Sequence, residues 1–232
     1  MTDLEGRSII VVGATGGLGR PLAAALSEAG ARLTLVGRDD ARLVECGVPG
    51  ERVAVDIRLA ASPARVIDAA VAAYGGVDGI VYAAGAVAFG AVEELPDEVM
   101  IDLFTLNTLA PIRLLRAALP ALRASAAAGR DPFVTHISAV VAEQPQAGMA
   151  AYSASKAALA AFDTAAAREL RRGGIRLIDA RPPHTETGLA DRPLSGTAPR
   201  LPQGLDPQAV AQRVVDAIAN DEKDLPSAAF SG

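Results

Sequence analysis

The chain has 232 residues, 50% hydrophobic and 21% charged, enough apolar material for one well-buried domain and too little for two of ordinary size. A net charge of −5 at pH 7, with no basic stripe, argues against nucleic acid as the main partner. The single cysteine, Cys46, excludes a disulfide within the chain and points to a reducing compartment.

The opening residues Met1-Thr2-Asp3-Leu4-Glu5 are acidic and lack the basic segment that begins a signal peptide. The first predicted strand lies within 7–13. Its core, Ser8-Ile9-Ile10-Val11-Val12, shows no polar alternation, as expected of a strand buried on both faces. A glycine turn follows, Gly13-Ala14-Thr15-Gly16-Gly17-Leu18-Gly19, and then a helix to about Ala29. Glycines let backbone amides approach a pyrophosphate, and a helix N-terminus favours its charge. Gly13, Thr15, Gly17, Leu18 and Gly19 are therefore candidate cofactor-binding positions.

The second strand, 32–37, ends on Gly37 and is followed by Arg38. A bare ribose usually meets a carboxylate here and a 2′-phosphate an arginine, so the sequence favours NADP(H), with NAD(H) possible. Asp39 can pair with Arg38 or face a ribose. A third strand, 52–56, places Asp56 at its carboxyl end, where it could reach an adenine amino group. A helix over 63–74 carries Val66, Ile67, Ala70, Val71 and Tyr74 on one face. The strand over 79–84 runs into Ala84-Gly85, small enough for a cofactor to lie against the sheet edge.

From Pro96 a helical pattern runs to about Ala128. Pro111 has no N–H, and its ring clashes with the carbonyl four residues back, that of Asn107. A kink and a carbonyl without its helical partner are expected at Asn107. A strand over 131–138 ends on Ser138, at the end of the sheet where ligands bind in open α/β folds. His136 is expected to be packed or on the surface, and no cluster suggests a metal.

The next helix, 152–172, places Tyr152 and Lys156 four residues apart on one face and is closed by Gly173-Gly174. A free phenol has a pKa of about 10. A neighbouring ammonium favours the phenolate and lowers that value, making the group a usable acid and base toward an alcohol or carbonyl oxygen. Lys156 and Asp163 break the apolar run around 149–167, so it is not read as a membrane span. After a strand over 175–180, residues 184–205 are rich in Pro, Gly, Thr and Ser, as in an active-site lid. Phe89, Gln144, Gln146, Met149 and His184 are candidates to line the substrate pocket with it. A helix from Asp206-Pro207 to about Asn220 and an edge strand near 225–230 complete the chain. It reads as one domain, 1–232.

These residues together resemble the short-chain dehydrogenase/reductase family, classical type. The likeness rests on Gly13, Gly17, Gly19, Asp56, Ala84-Gly85, Asn107, Ser138, Tyr152 and Lys156, in the family's order. It implies a doubly wound, seven-stranded parallel sheet with helices on both faces, an α/β Rossmann domain. It implies Tyr152 as general acid/base, with Lys156 lowering the phenol's pKa and binding the nicotinamide ribose. Ser138 would hold the substrate oxygen, the Asn107 carbonyl a water, and Thr187 the carboxamide. Two departures stand out: Tyr82-Ala83 where the family has paired asparagines, and Pro183 where it has glycine.

The activity so implied is NADP(H)-dependent hydride transfer between nicotinamide and a carbonyl or secondary alcohol. The alternative is a non-catalytic NADP(H)-binding regulator or scaffold. The alanine-dense helices, with Ala117, Ala118, Ala121 and Ala124 on one and Ala157, Ala158, Ala161 and Ala165 on the other, correspond to those that build a homo-dimer or homo-tetramer in the family. The protein is read as cytoplasmic.

Overall fold

A computed structural model describes residues 2–230; Met1, Ser231 and Gly232, the ends of the 1–232 domain reading, lie outside the described residues. Six strands form one parallel sheet: β1 (Ser8–Val12), β2 (Arg32–Gly37), β3 (Glu51–Ala54), β4 (Gly79–Tyr82), β5 (Phe133–Ile137) and β6 (Arg176–Ala180). Their order is β3-β2-β1-β4-β5-β6. The chain first winds outward through β2 and β3, then returns to the other side of β1 with β4. That reversal leaves a crevice at the carboxyl ends of β1 and β4.

The apolar runs are two-sided because both faces are covered. Ile9 and Val11 join a core with α1 (Gly19–Glu28) and α7 (Pro207–Ala219), where Leu22 and Leu26 pack with Val214 and Ile218. Ile10 and Val12 face the opposite layer, built by α3 (Ser62–Tyr74), α5 (Ala110–Ala127) and α6 (Ala150–Leu170). Burying each such aliphatic side chain stabilises by roughly 1.5–3 kcal/mol.

Three details differ from the sequence reading. A short helix, α2 (Asp40–Glu45), follows β2, and Asp39 caps it, its Oδ1 accepting from the Arg42 N–H at 3.3 Å. The long helix divides into α4 (Asp97–Phe104), a π-helical turn over Thr105–Leu109, and α5, with Pro111 in the first turn of α5. The kink expected at Asn107 is this widened turn. The seventh strand is reduced to one bridge, Leu225 beside Ala180, after which Ser227–Phe230 is a 3-10 turn.

Residues 184–205 are tied at both ends. Leu205 and Thr185 form a bridge, and the Leu205 N–H donates to the His184 carbonyl at 2.8 Å. Farther along, the Leu194 N–H donates to Val87 and the Phe89 N–H to Ser195, at 2.8 and 2.9 Å. Among the described residues, no helix is long and apolar enough to cross a membrane.

Candidate active site

A cavity of about 990 Å³ opens at the carboxyl ends of the strands. Its wall contains Gly13, Thr15, Gly17, Leu18, Arg38, Asp56, Ala84, Gly85, Ser138, Tyr152, Lys156 and Thr187. Gly19 and Asn107 support this wall from behind.

The glycine turn is shaped by close backbone contacts. Gly13 has φ +81°, a left-handed value that favours glycine, and a Cβ there would stand 2.8 Å from the Ala84 nitrogen. A Cβ on Gly19 would fall 2.0 Å from the Gly13 carbonyl oxygen. The turn leads into α1, whose N-terminus has no side-chain cap. Inside the helix the Arg20 N–H donates to the Gly16 carbonyl at 3.0 Å and Pro21 has no N–H, so the amides of Gly17, Leu18 and Gly19, in the turn and at its junction with α1, are the ones that can meet an anion. Arg38 and Arg42 stand in the wall after β2, and Arg42 Nη2 reaches the Thr15 carbonyl at 3.5 Å. The amides of the glycine turn, with Arg38 and Arg42 in the same wall, fit a phosphate-bearing dinucleotide. Arg42 was not singled out from sequence; Asp39 as an N-cap is the signal that would have placed it on a helix facing the turn.

Asp56 lies just beyond β3, already forked by Arg58, whose Nη2 donates to it at 2.7 Å. The side-chain hydrogen bond from Arg58 holds its carboxyl below the usual range despite partial burial. Asp56 can meet an adenine only while it shares that guanidinium.

Asn107 is fully buried in the π turn. Its Oδ1 accepts from the Ala86 N–H at 2.9 Å, while Nδ2 donates to the Ala86 carbonyl at 2.9 Å and to Ser155 Oγ at 3.0 Å. It joins the loop after β4 to α6 as a strand partner would. Tyr82, standing where an amide was expected, donates its hydroxyl to the Leu106 carbonyl at 2.9 Å and so ties β4 to the same turn.

Tyr152 and Lys156 lie one turn apart on α6, and both reach the cavity. The chain has three tyrosines. Those at 74 and 82 donate their hydroxyls to carbonyls, both at 2.9 Å. Tyr152 makes no such bond to a described residue. Burial pushes its phenol up to about 12, opposite to the lowering expected from Lys156. Lys156 is 4% exposed, and its Nζ donates to the Ile137 carbonyl at 2.9 Å. Burial brings its amine down to about 8, opposed by the charges of Asp179 and Asp163. Behind it, His136 Nδ1 and Asp163 Oδ1 form a buried pair at 2.8 Å, so the histidine is packed, as expected.

Ser138 reaches the cavity wall with its hydroxyl turned elsewhere. Its Oγ donates to Asp179 Oδ1, and Arg181 Nη1 donates to the other oxygen of that carboxylate at 2.6 Å. The cause is register: β5 pairs with β6 so that His136 lies opposite Asp179, and Ser138, two residues on, shares that face. Releasing the serine would leave Asp179 Oδ1 buried and short of a donor, at a cost of about 1–3 kcal/mol or more. The hydrogen expected at a substrate oxygen is thus on a carboxylate.

Of the residues proposed from sequence for the substrate pocket, Phe89, Gln146, Met149 and His184 line the cavity and Gln144 does not. Thr187 approaches the glycine turn closely: a Cβ on Gly17 would sit 2.2 Å from the Thr187 carbonyl oxygen.

Residues 7–195 match the family model described as short chain dehydrogenase. The chain is 31% identical over 187 residues to the 2,3-dihydro-2,3-dihydroxybenzoate dehydrogenase of Escherichia coli, covering 81% of this chain and 73% of that protein. It is 26% identical over 223 residues to an uncharacterised oxidoreductase of Staphylococcus epidermidis, covering 94% and 93%. In fold it is similar to a 3-ketoacyl-(acyl-carrier-protein) reductase from Brucella melitensis complexed with NADH, with a TM-score of 0.87 at 21% identity, covering 98% of this chain and 100% of that one.

Proposed function

The chain belongs to the short-chain dehydrogenase family, a family of oxidoreductases, and from that premise we propose that it moves a hydride between NADP(H) and a carbonyl or secondary alcohol. When bound, the cofactor supplies or accepts the hydride at the carbonyl carbon. The glycine turn and the N-terminus of α1 would hold its phosphates, with Arg38 and Arg42 at a 2′-phosphate, Asp56 toward the adenine and Thr187 over the nicotinamide end. A similarly folded reductase is described with NADH, which keeps NAD(H) open as a second cofactor.

Tyr152 gives its phenolic proton to the substrate oxygen as the carbonyl becomes an alcohol, and takes it back in the reverse direction. Lys156 lies one turn behind. Its amine, near pKa 8, is mostly charged at neutral pH and offers donors to a ribose, while burial keeps the proton on the phenol until the substrate oxygen takes it. Asn107 fixes the loop after β4 and the turn of α6 that carries Ser155. The observation that carries this reading is the free phenol of Tyr152, four residues from a buried amine, in the cavity that begins at the glycine turn. The enzyme is read as cytoplasmic and homo-oligomeric.

The test is Tyr152→Phe, assayed by NADPH fluorescence against ketones, aldehydes and quinones. Turnover is expected to fall by ~10²–10⁴-fold, with NADPH binding kept within a few-fold. Survival of turnover within a few-fold of wild type would overturn the assignment. Tight NADPH binding by the wild type without turnover on any member of the panel would select the non-catalytic binding role instead.

A further inference from the structure

We infer that this site polarises its substrate oxygen with one hydroxyl, that of Tyr152, and that Ala139 occupies the position from which a second donor would act. The inference rests on the catalytic reading of Tyr152 above.

A serine hydroxyl carries one hydrogen, and that of Ser138 is on Asp179. The carboxylate is held in place from its other side by Arg181, which also donates to Glu143 and to Asp224. Ser138 is 3% exposed. The next residue points the opposite way. Ala139 is fully extended, with φ −179° and ψ 163°, and successive side chains in extended backbone alternate sides. Ala139 is half-buried and belongs to the apolar cluster that contains Tyr152, with Val141, Met149 and Leu189. On that side the cavity wall therefore carries a methyl group.

The chemical consequence concerns substrate class. A carbonyl becoming an alkoxide gains negative charge on oxygen, and each aimed donor lowers that barrier; loss of one donor costs about 10²–10³-fold in known sites. With one donor, the site favours carbonyls already activated by a neighbouring acceptor group, such as α-diketones, over plain ketones. An apolar wall at Val141, Met149 and Leu189 suits an uncharged substrate.

The experiment compares wild type, Ala139→Ser and Ser138→Ala on cyclohexanone and on 2,3-butanedione with NADPH. Ala139→Ser is expected to raise kcat on cyclohexanone by roughly 10–100-fold, with a much smaller gain on the diketone. Ser138→Ala is expected to keep the wild-type ratio of kcat/KM between the two substrates within about threefold, because its hydroxyl faces β6. The inference is overturned if folded Ala139→Ser shows no gain on cyclohexanone. It is also overturned if folded, NADPH-binding Ser138→Ala loses 100-fold or more on both substrates. Should Ala139→Ser fail to fold, Ala139→Cys and the Ser138→Ala arm decide alone. Failure of the underlying reading looks different: Tyr152→Phe would then retain the wild-type rates.

Discussion

Lys156 carries the site's positive charge inside the protein, 4% exposed, with one carbonyl to bond and two carboxylates at longer range. Its amine is lowered from the usual 10.5 to about 8. Below about pH 8 it is charged in both folded and unfolded chains, and the folded state carries the whole burden of burying that charge. Between about 8 and 10.5 the folded amine sheds its proton first, and above that range neither form is charged. The unfolded chain thus binds more protons in this window, so stability rises with pH there. Against Lys156→Met, wild type is expected to gain on the order of 1–3 kcal/mol between about pH 7.5 and 10, measured by urea unfolding. A stability gap that stays flat across that range would show that the amine is not perturbed. That Tyr152 and Lys156 both reach the cavity from α6 was legible from spacing alone, because four residues on a helix define a face. The direction of the Ser138 hydroxyl was not, since Asp179 sits 41 residues away and only strand pairing brings them together.

At the scale of elements, the 184–205 segment and the glycine turn meet backbone to backbone. Gly17 has no unusual φ, so alanine there suffers no conformational strain of its own. Its Cβ would nevertheless stand 2.2 Å from the Thr187 carbonyl oxygen, and one of the two segments must move. Gly17→Ala is expected to lift the strap at 184–205 and to speed proteolytic nicking there several-fold, with the far-UV CD unchanged. Nicking at the wild-type rate would mean that the contact bears no weight. The π turn was foreshadowed by Pro111, a local steric signal. The short α2 was missed because six residues carry little apolar period, and only Asp39 as a cap announced it. The final strand was over-read: Leu225 does pair with Ala180, but Pro226 follows at once and cannot donate to a ladder.

For the whole molecule, the alternation of strand and helix was enough to give a doubly wound parallel sheet, since each β-branched run had to be covered on both faces. What alternation could not separate was alanine facing the sheet from alanine facing outward. Ala118 is buried against the sheet, whereas Ala124, Ala161 and Ala165 are exposed. Small exposed residues on α5 and α6 allow a second copy to approach closely. A homo-dimer or larger is expected by light scattering at micromolar concentration, and a monomer there would refute it.

Arg181 bears on the molecule's outer margin. Its guanidinium joins Asp179 at the end of β6, Glu143 after β5 and Asp224 next to the lone Leu225 bridge. The place a seventh strand would have filled with a ladder of amides is instead clasped by one cation and three carboxylates. The arm of the clasp at exposed Asp224 weakens with dissolved electrolyte where a ladder would not. Rising ionic strength should therefore slacken the C-terminal rim while the sheet's centre stays firm.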